Sequence, residues 1–291
     1  MTRRQRVLKS LSYIFLSISS LILIYPVLYL VLAAFTTNDR FYATLFLPIP
    51  NTLNLNLFAR AFAAVQDAYL FTFVRVAFYL FVTLLTGLFG GYVFSKLRFP
   101  GRDKVFLLFL MGMVMPEILM IVPMFIQMAW VPFAGGNNWL GQGGHGFIGD
   151  WPVLFSYGWV PPLAIFLFKQ NFDMLPTEYQ EAARLDGAGT LTIIFRVYGP
   201  LLKPVFAALI IITFLRVWND FLWPSLTIVG NPDFHPISYR IQWVRLVRGS
   251  AGGNIPALMA QFLMVMWPPA AVYFLLQRYF VQGLVASGLK G

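Results

Sequence analysis

The chain contains no cysteine, so disulfide frameworks and thiol chemistry are excluded. Charge is almost as scarce. Asp, Glu, Lys and Arg make up 11% of 291 residues, against about 25% in a soluble chain. So little charge cannot cover a surface of this size, and most of it must meet something other than water. Only two histidines occur, His145 and His235, and no His/Asp/Glu group has metal-ligand spacing, so no metal site is expected. No G-x-x-x-x-G-K-[ST] segment occurs, which argues against nucleotide held in a P-loop. The run GQGGHG at 141–146 matches G-x-G-x-x-G, but it follows no strand and opens no helix, which predicts a flexible turn. No catalytic constellation is visible. The chain is expected not to be an enzyme and to carry no cofactor of its own.

What is present is apolar. Hydrophobic residues make up 59% of the chain, with 30 Phe. A helix needs about 20 apolar residues to cross the hydrocarbon core of a bilayer. Six runs qualify, at 11–35, 71–94, 105–131, 152–168, 204–229 and 255–277. They are too long for barrel strands and lack a two-residue alternation. The expected fold is an all-α polytopic membrane protein of six transmembrane helices.

The formal charge of +10 would suit nucleic acid in a soluble protein. In a membrane protein it follows from Lys and Arg gathering at cytoplasmic helix ends, so no nucleic-acid partner is expected. With the N-terminus inside, the inner segments hold Arg3, Arg4, Arg6, Lys9, Lys96, Arg98, Arg102, Lys104, Lys169, Arg184, Arg196, Lys203, Arg278 and Lys290. Arg40, Arg60, Arg75, Arg216, Arg240, Arg245 and Arg248 remain elsewhere. Cytoplasmic termini follow. The opening TRRQRVLKS has the look of a twin-arginine signal, but the apolar run behind it is too long for a signal h-region, and an anchor is expected. The outer loops, at 36–70, 132–151 and 230–254, are too short to form a domain.

The inner segment 173–203 is the polar exception. Asp173, Glu178, Glu181 and Asp186 are four of the eleven acidic residues. Pro176 stops the preceding helix. Thr177 followed by Gln180 spells a capping box, and Glu178 and Glu181 suit the positive end of a helix. Gly187 and Gly189 end it. A short helix over about 178–186 is expected, then a second helical piece to Tyr198 and a turn at Gly199-Pro200. So short a helix needs a surface to pack on. It fits either an amphipathic turn resting on its own bundle or a plug docked into a cytoplasmic partner, with Ala182 and Ala183 allowing close approach and Glu181, Arg184 and Asp186 flanking them.

This segment resembles the EAA loop of ABC importer permeases: Glu181-Ala182-Ala183, then Gly187, Val197 and Pro200, with Gly199 where that family has Leu. SKLRFPGR at 95–102, WNDF at 218–221 and QRYFVQGLVASGLKG at 277–291 are similar to corresponding segments of MalG-type carbohydrate permeases. The resemblance implies the type I ABC importer permease fold in a bacterial or archaeal cytoplasmic membrane. It divides the chain into 1–70 (tail, first helix and outer loop), a permease core at 71–277 and a cytoplasmic tail at 278–291. It implies a second permease subunit in a heterodimer, two ABC ATPase subunits that bind the ATP and Mg, and an extracytoplasmic solute-binding protein. Glu178, Glu181, Ala182, Ala183, Arg184, Asp186 and Gly187 would dock on an ATPase, and the import of a di- or oligosaccharide would follow by alternating access. An ABC permease for a non-sugar solute and an ion-coupled secondary transporter are the alternatives, although no inverted repeat is visible for the latter.

Ionisable groups inside spans face a cavity or one another. Arg216 and Asp220 are four apart, on one helix face, and fit either an internal ion pair or, for Asp220, a place beside the solute path with Trp218 and Asn219. Arg75 is a second candidate partner for Asp220. Glu117 follows Met115-Pro116 in a Met-rich run, where Pro116 and Pro123 predict a kink, and it is a further candidate for the path.

Overall fold

The computed structural model describes residues 3–44, 46–52, 54–156, 158, 161–228, 231–247 and 254–288. Arg248, Lys290 and the end of the 277–291 tail segment lie outside the described residues. Along the chain run α1 (Arg3–Phe35), α2 (Asn38–Ala43), α3 (Leu55–Lys96), α4 (Arg102–Val114), α5 (Glu117–Ala129), a 3-10 turn (Trp151–Phe155), α6 (Pro162–Met174), α7 (Glu178–Leu185), α8 (Thr190–Thr192), a π-helical segment (Ile193–Tyr198), α9 (Gly199–Leu201), α10 (Lys203–Trp218), α11 (Leu222–Thr227), a 3-10 turn (Pro232–Phe234), α12 (Ile237–Val247) and α13 (Ile255–Gly288). No strand occurs among the described residues.

Four stretches are long and apolar enough to cross a bilayer: Leu8–Phe35, Leu55–Lys96, Lys203–Thr227 and Ile255–Tyr279. The pair α4 and α5 makes a fifth if counted as one span bent by 99°. The bend sits where expected. Met115 is extended (φ −74°, ψ 120°) ahead of Pro116, because the proline ring disfavours helical backbone in the residue before it. The expected count of six is not reached among the described residues. The run at 152–168 opens as a 3-10 turn, and helix resumes only at Pro162, behind Pro161, leaving 13 residues in α6. The Pro162 ring disfavours helical backbone in the residue ahead of it, and Pro161 is extended (φ −78°, ψ 110°), while a proline suits the first helical position, so α6 starts at this pair. Tyr157, Trp159 and Val160 of that run lie outside the described residues. The second span is longer than its apolar run: residues 55–70, expected in a loop, are the first turns of α3.

The chain divides into two compact units, one of residues 1–66 and 241–268, the other of residues 67–240 and 269–291. In the first, Ala34, Leu57, Ala61 and Ala260 form a buried cluster. Small residues let apolar helices approach closely where lipid supplies no hydrophobic drive between them. The apolar window of α1 contains no buried residue, as a lipid-facing helix requires.

In the second unit, Leu88, Tyr92, Phe168, Phe172, Ile193, Ile194, Tyr198 and Leu202 belong to one buried cluster. The backbones of α3 and α6 approach closely at Gly91. A Cβ on Gly91 would collide with that of Phe168 and lie 2.9 Å from the Lys169 backbone nitrogen. The glycine there is a packing requirement.

The segment 190–201 is helical throughout, but under-wound between Ile193 and Tyr198 into a π turn, with Gly199 N–H donating to Ile194 O. Pro200 has no N–H, and its ring opposes a carbonyl four residues back, so the wider turn is the conformation it leaves open. Gly199 is therefore helical (φ −50°, ψ −50°), and the expected turn at Gly199-Pro200 lies instead at Leu202 (φ −94°, ψ 9°). GQGGHG is a turn, with Gly141, Gly143 and Gly146 all at positive φ. Asn137 pins it, accepting from Gly144 N–H at 2.8 Å and donating to Ala129 O at 2.9 Å.

Candidate functional site

Two groups of residues singled out from the sequence come together in the second unit. The first is α7 and its ends. The helix covers Glu178–Leu185, close to the expected 178–186. Its N-terminus is not built as expected. Thr177 is already helical (φ −70°, ψ −22°) and makes no side-chain cap. Its carbonyl accepts from Gln180 N–H at 2.9 Å and Glu181 N–H at 3.1 Å. Gln180 is buried, and its Oε1 finds no partner among the described residues. The capping box is absent because tertiary packing turns Gln180 inward, away from the helix start.

The C-terminus follows the sequence closely. Gly187 is left-handed (φ +80°). Its N–H donates to Arg184 O at 3.0 Å, and Ala188 N–H donates to Ala183 O at 2.9 Å. These are the two bonds of a Schellman cap. Gly189 does not end this helix. It is extended (φ −71°, ψ 162°) and caps the next one.

The faces of α7 sort its residues. Ala183 packs on the buried cluster with Ala188. Glu178, Glu181, Ala182, Arg184, Asp186 and Gly187 are exposed. Beside them lie exposed apolar side chains: Tyr179, Leu191, Phe195 and above all Leu185, 90% exposed. Of the two alanines, Ala182 alone is turned outward. An acidic, small-residue face with a bare leucine at its tip can dock against another protein.

The second group surrounds Asp220. Helix α10 ends at Trp218, and Asn219 is no longer regular helix (φ −90°, ψ 1°). The four-residue spacing of Arg216 and Asp220 therefore does not place them on one helix face, and the expected pair between them is replaced by two others. Asp220 pairs with Arg75 of α3, which is fully buried. Arg216 pairs with Glu117 at 3.4 Å. Arg75 Nε also donates to Leu154 O at 3.0 Å, and Tyr79 donates to the same carbonyl at 2.9 Å. Ser238 donates to Asp220 O at 2.6 Å.

Glu117, Arg216, Asn219 and Asp220 line one cavity of about 300 Å³. Glu117, Arg216 and Asp220 also border another of about 430 Å³, with Met115, Met120 and Met124. Trp218, expected on the path, does not line either. It is 1% exposed and stacks on Phe214 at 5.3 Å, with Tyr69 and Phe73 edge-on. Its size makes it a core residue. Gly158 was not anticipated. It is left-handed (φ +74°), and a Cβ there would lie 3.4 Å from an Arg216 nitrogen. Only the two prolines that follow at 161 and 162 hint at a turn. The Leu154 carbonyl, a backbone acceptor for two side chains, leaves no trace in sequence at all. Among the described residues no group of three or more His, Asp or Glu could hold a metal.

Residues 83–285 match the family described as binding-protein-dependent transport system inner membrane component. Among curated proteins, the chain is 35% identical over 202 residues to the osmoprotective compounds uptake permease protein GgtD of Synechocystis sp., covering 69% of this chain and 63% of that protein. It is 27% identical over 283 residues to the galactooligosaccharides transport system permease protein GanQ of Bacillus subtilis, covering 96% of this chain and 95% of that one. Among solved structures, a chain of a bacterial ABC transporter involved in the import of the acidic polysaccharide alginate superposes with a TM-score of 0.79 at 21% identity, over 96% of this chain and 99% of that one. At that identity the likeness establishes the fold.

Proposed function

The chain belongs to the family of binding-protein-dependent transport system inner membrane components, and from that premise we propose that it is a permease subunit of an ATP-driven importer for a di- or oligosaccharide. The observation that carries the coupling is α7: an eight-residue helix, closed by a left-handed glycine, with acids and a bare leucine outward. A helix this short needs a surface to pack on; its Ala183 side rests on the buried cluster of this chain, which leaves the acidic face free for a partner. That partner is one of two ATPase subunits, which hold the ATP and Mg. Glu181 makes a charge-assisted contact there, while Ala182 permits close approach. When the ATPase pair closes, α7 is carried with it, and the bundle rocks between inward- and outward-open states. A second permease of related fold completes the path, and a solute-binding protein delivers solute from outside. Both termini lie in the cytoplasm, and the membrane is the cytoplasmic membrane of a bacterium or archaeon.

The substrate class rests on relatives such as GanQ and on the cavity's charge. Glu117 and Asp220 are offset by Arg216 and Arg75. A site with balanced charges suits a neutral polyhydroxylated solute, which both donates and accepts hydrogen bonds, better than an anion. The test is purification from the native membrane followed by reconstitution. An ATPase subunit is expected to co-purify, and proteoliposomes are expected to accumulate one member of a panel of galacto-, arabino- and gluco-oligosaccharides only when ATP and the binding protein are supplied. Uptake by this polypeptide alone would refute the reading.

A further inference from the structure

Between the end of α6 and the start of α7 lie only Leu175, Pro176 and Thr177. A joint this short could swivel, and a pull on α7 would then be lost before it reached the bundle. The structure closes that freedom with one side chain from α3. Lys96 Nζ donates to Leu175 O at 2.8 Å, on the linker entering α7. The same ammonium lies 5.6 Å from the centre of the Tyr198 ring, on the segment leaving it. Lys96 therefore touches both arms of the loop.

Its neighbour repeats the device. Ser95 donates to Asp173 Oδ1 at 2.6 Å, in the last turn of α6, and Lys169 donates to Asp173 Oδ2 at 2.7 Å. Lys169 also lies 4.9 Å from the centre of the Phe106 ring in α4. Burial pushes the Asp173 carboxyl up, but hydrogen bonds from Lys169 and Ser95 and the charges of Lys169 and Lys96 outweigh it, leaving it below its ordinary value. It is ionised across the physiological range. One helical turn earlier, Gly91 lets α3 and α6 meet at backbone distance.

We propose that Lys96, supported by the Ser95–Asp173–Lys169 cluster, is a positioning residue for energy coupling: a strut that clamps both arms of the α7 loop to α3 and makes α3 and α6 one lever. This rests on the reading of α7 as the ATPase-docking element. A cation bearing N–H donors is needed because it serves a carbonyl and an aromatic face at once. A swivelling joint would leave docking and hydrolysis intact and lose only the transmitted motion.

The experiment compares wild type, Lys96→Met, Lys96→Arg and Asp173→Asn in the complete importer, reconstituted with its partner permease, ATPase and binding protein. Uptake and ATP hydrolysis are measured separately, and ATPase co-purification reports assembly. Lys96→Met keeps the length and bulk of the stem. It is expected to raise the ATP hydrolysed per solute imported at least about fivefold, the lower end of ordinary coupling between sites, with assembly unchanged. Asp173→Asn is expected to raise the same ratio less, and Lys96→Arg, which retains a charged donor, to restore it. If Lys96→Met assembles and couples as the wild type does, the strut is refuted. If Lys96→Met loses assembly while Lys96→Arg and Asp173→Asn couple normally, Lys96 acts in folding and the proposal is equally refuted. Failure of the parent reading looks different: the wild type itself would bind no ATPase.

Discussion

At the scale of single residues, the most consequential charge is Arg75. Its side chain is fully buried against Asp220 and the Leu154 carbonyl. Removing one partner of a buried pair leaves the other charge uncompensated. Asp220→Ala is therefore expected to destabilise the protein by about 3–5 kcal/mol, read as a fall in Tm of the purified protein, and Arg75→Met in the same chain should recover part of the loss. A second prediction concerns pH. Burial, and then the charge of Arg240, hold His235 below its ordinary pKa of 6.5, against the opposing influence of the Ile228 backbone and Asp233. The folded state thus binds fewer protons than the unfolded state just below pH 6.5. Its contribution to stability is full above 6.5 and lost as pH falls beneath it. Tm should decline from pH 7.5 to pH 5.5, and His235→Phe, which keeps a ring against Tyr239 (4.5 Å away), should flatten that decline. Of the charges inside the spans, Glu117, Arg216 and Asp220 are legible as functional candidates because ionisable groups are costly there. Arg75 was legible as one candidate partner of Asp220, but the pairing of Arg216 with Glu117 was not. The spacing of Arg216 and Asp220 would hold only if α10 continued past Trp218.

At the scale of elements, α7 was readable in position, length and C-terminus, since a left-handed glycine is a local requirement. Nothing lies within 4 Å of a Cβ built on Gly187, so the demand there is conformational and not steric. Gly187→Leu is expected to cost about 1–2 kcal/mol through the left-handed backbone and to raise the ATP used per solute in the reconstituted importer. Gly187→Asn, which tolerates that backbone, should do so less, and equal effects from both would show the glycine's conformation to be irrelevant. The N-terminal capping box was misread for an instructive reason. Thr177 and Gln180 have the right types and spacing, but burial of Gln180 overrides the local preference. The π turn at 193–198 was likewise outside sequence reading. Pro200 signals trouble for an α-helix without saying whether the chain will break, kink or widen.

At the scale of the whole molecule, low charge, long apolar runs and an uneven distribution of Lys and Arg set the class, and the exposed α1 agrees with a lipid surround. The absence of cysteine makes topology testable directly. In intact cells, a cysteine placed at Gly143 in the turn at 141–146 is expected to react with a membrane-impermeant maleimide. One placed at Ser10, near the N-terminus, should react only after permeabilisation, and the opposite pattern would invert the orientation. What the sequence determined by itself was everything that depends on near neighbours along the chain: that the protein is helical and membrane-embedded, where the polar loop lies, that Pro116 bends a span and that Gly187 closes a helix. What only the tertiary structure decided was who meets whom. Of the two partners open to Asp220 it takes Arg75, 145 residues away, and Arg216 finds Glu117 across 99, while Trp218 goes into the core and Lys96 reaches Leu175. Helix periodicity and turn chemistry act within a few positions, whereas the choice of partner is made by packing among helices that are remote in sequence.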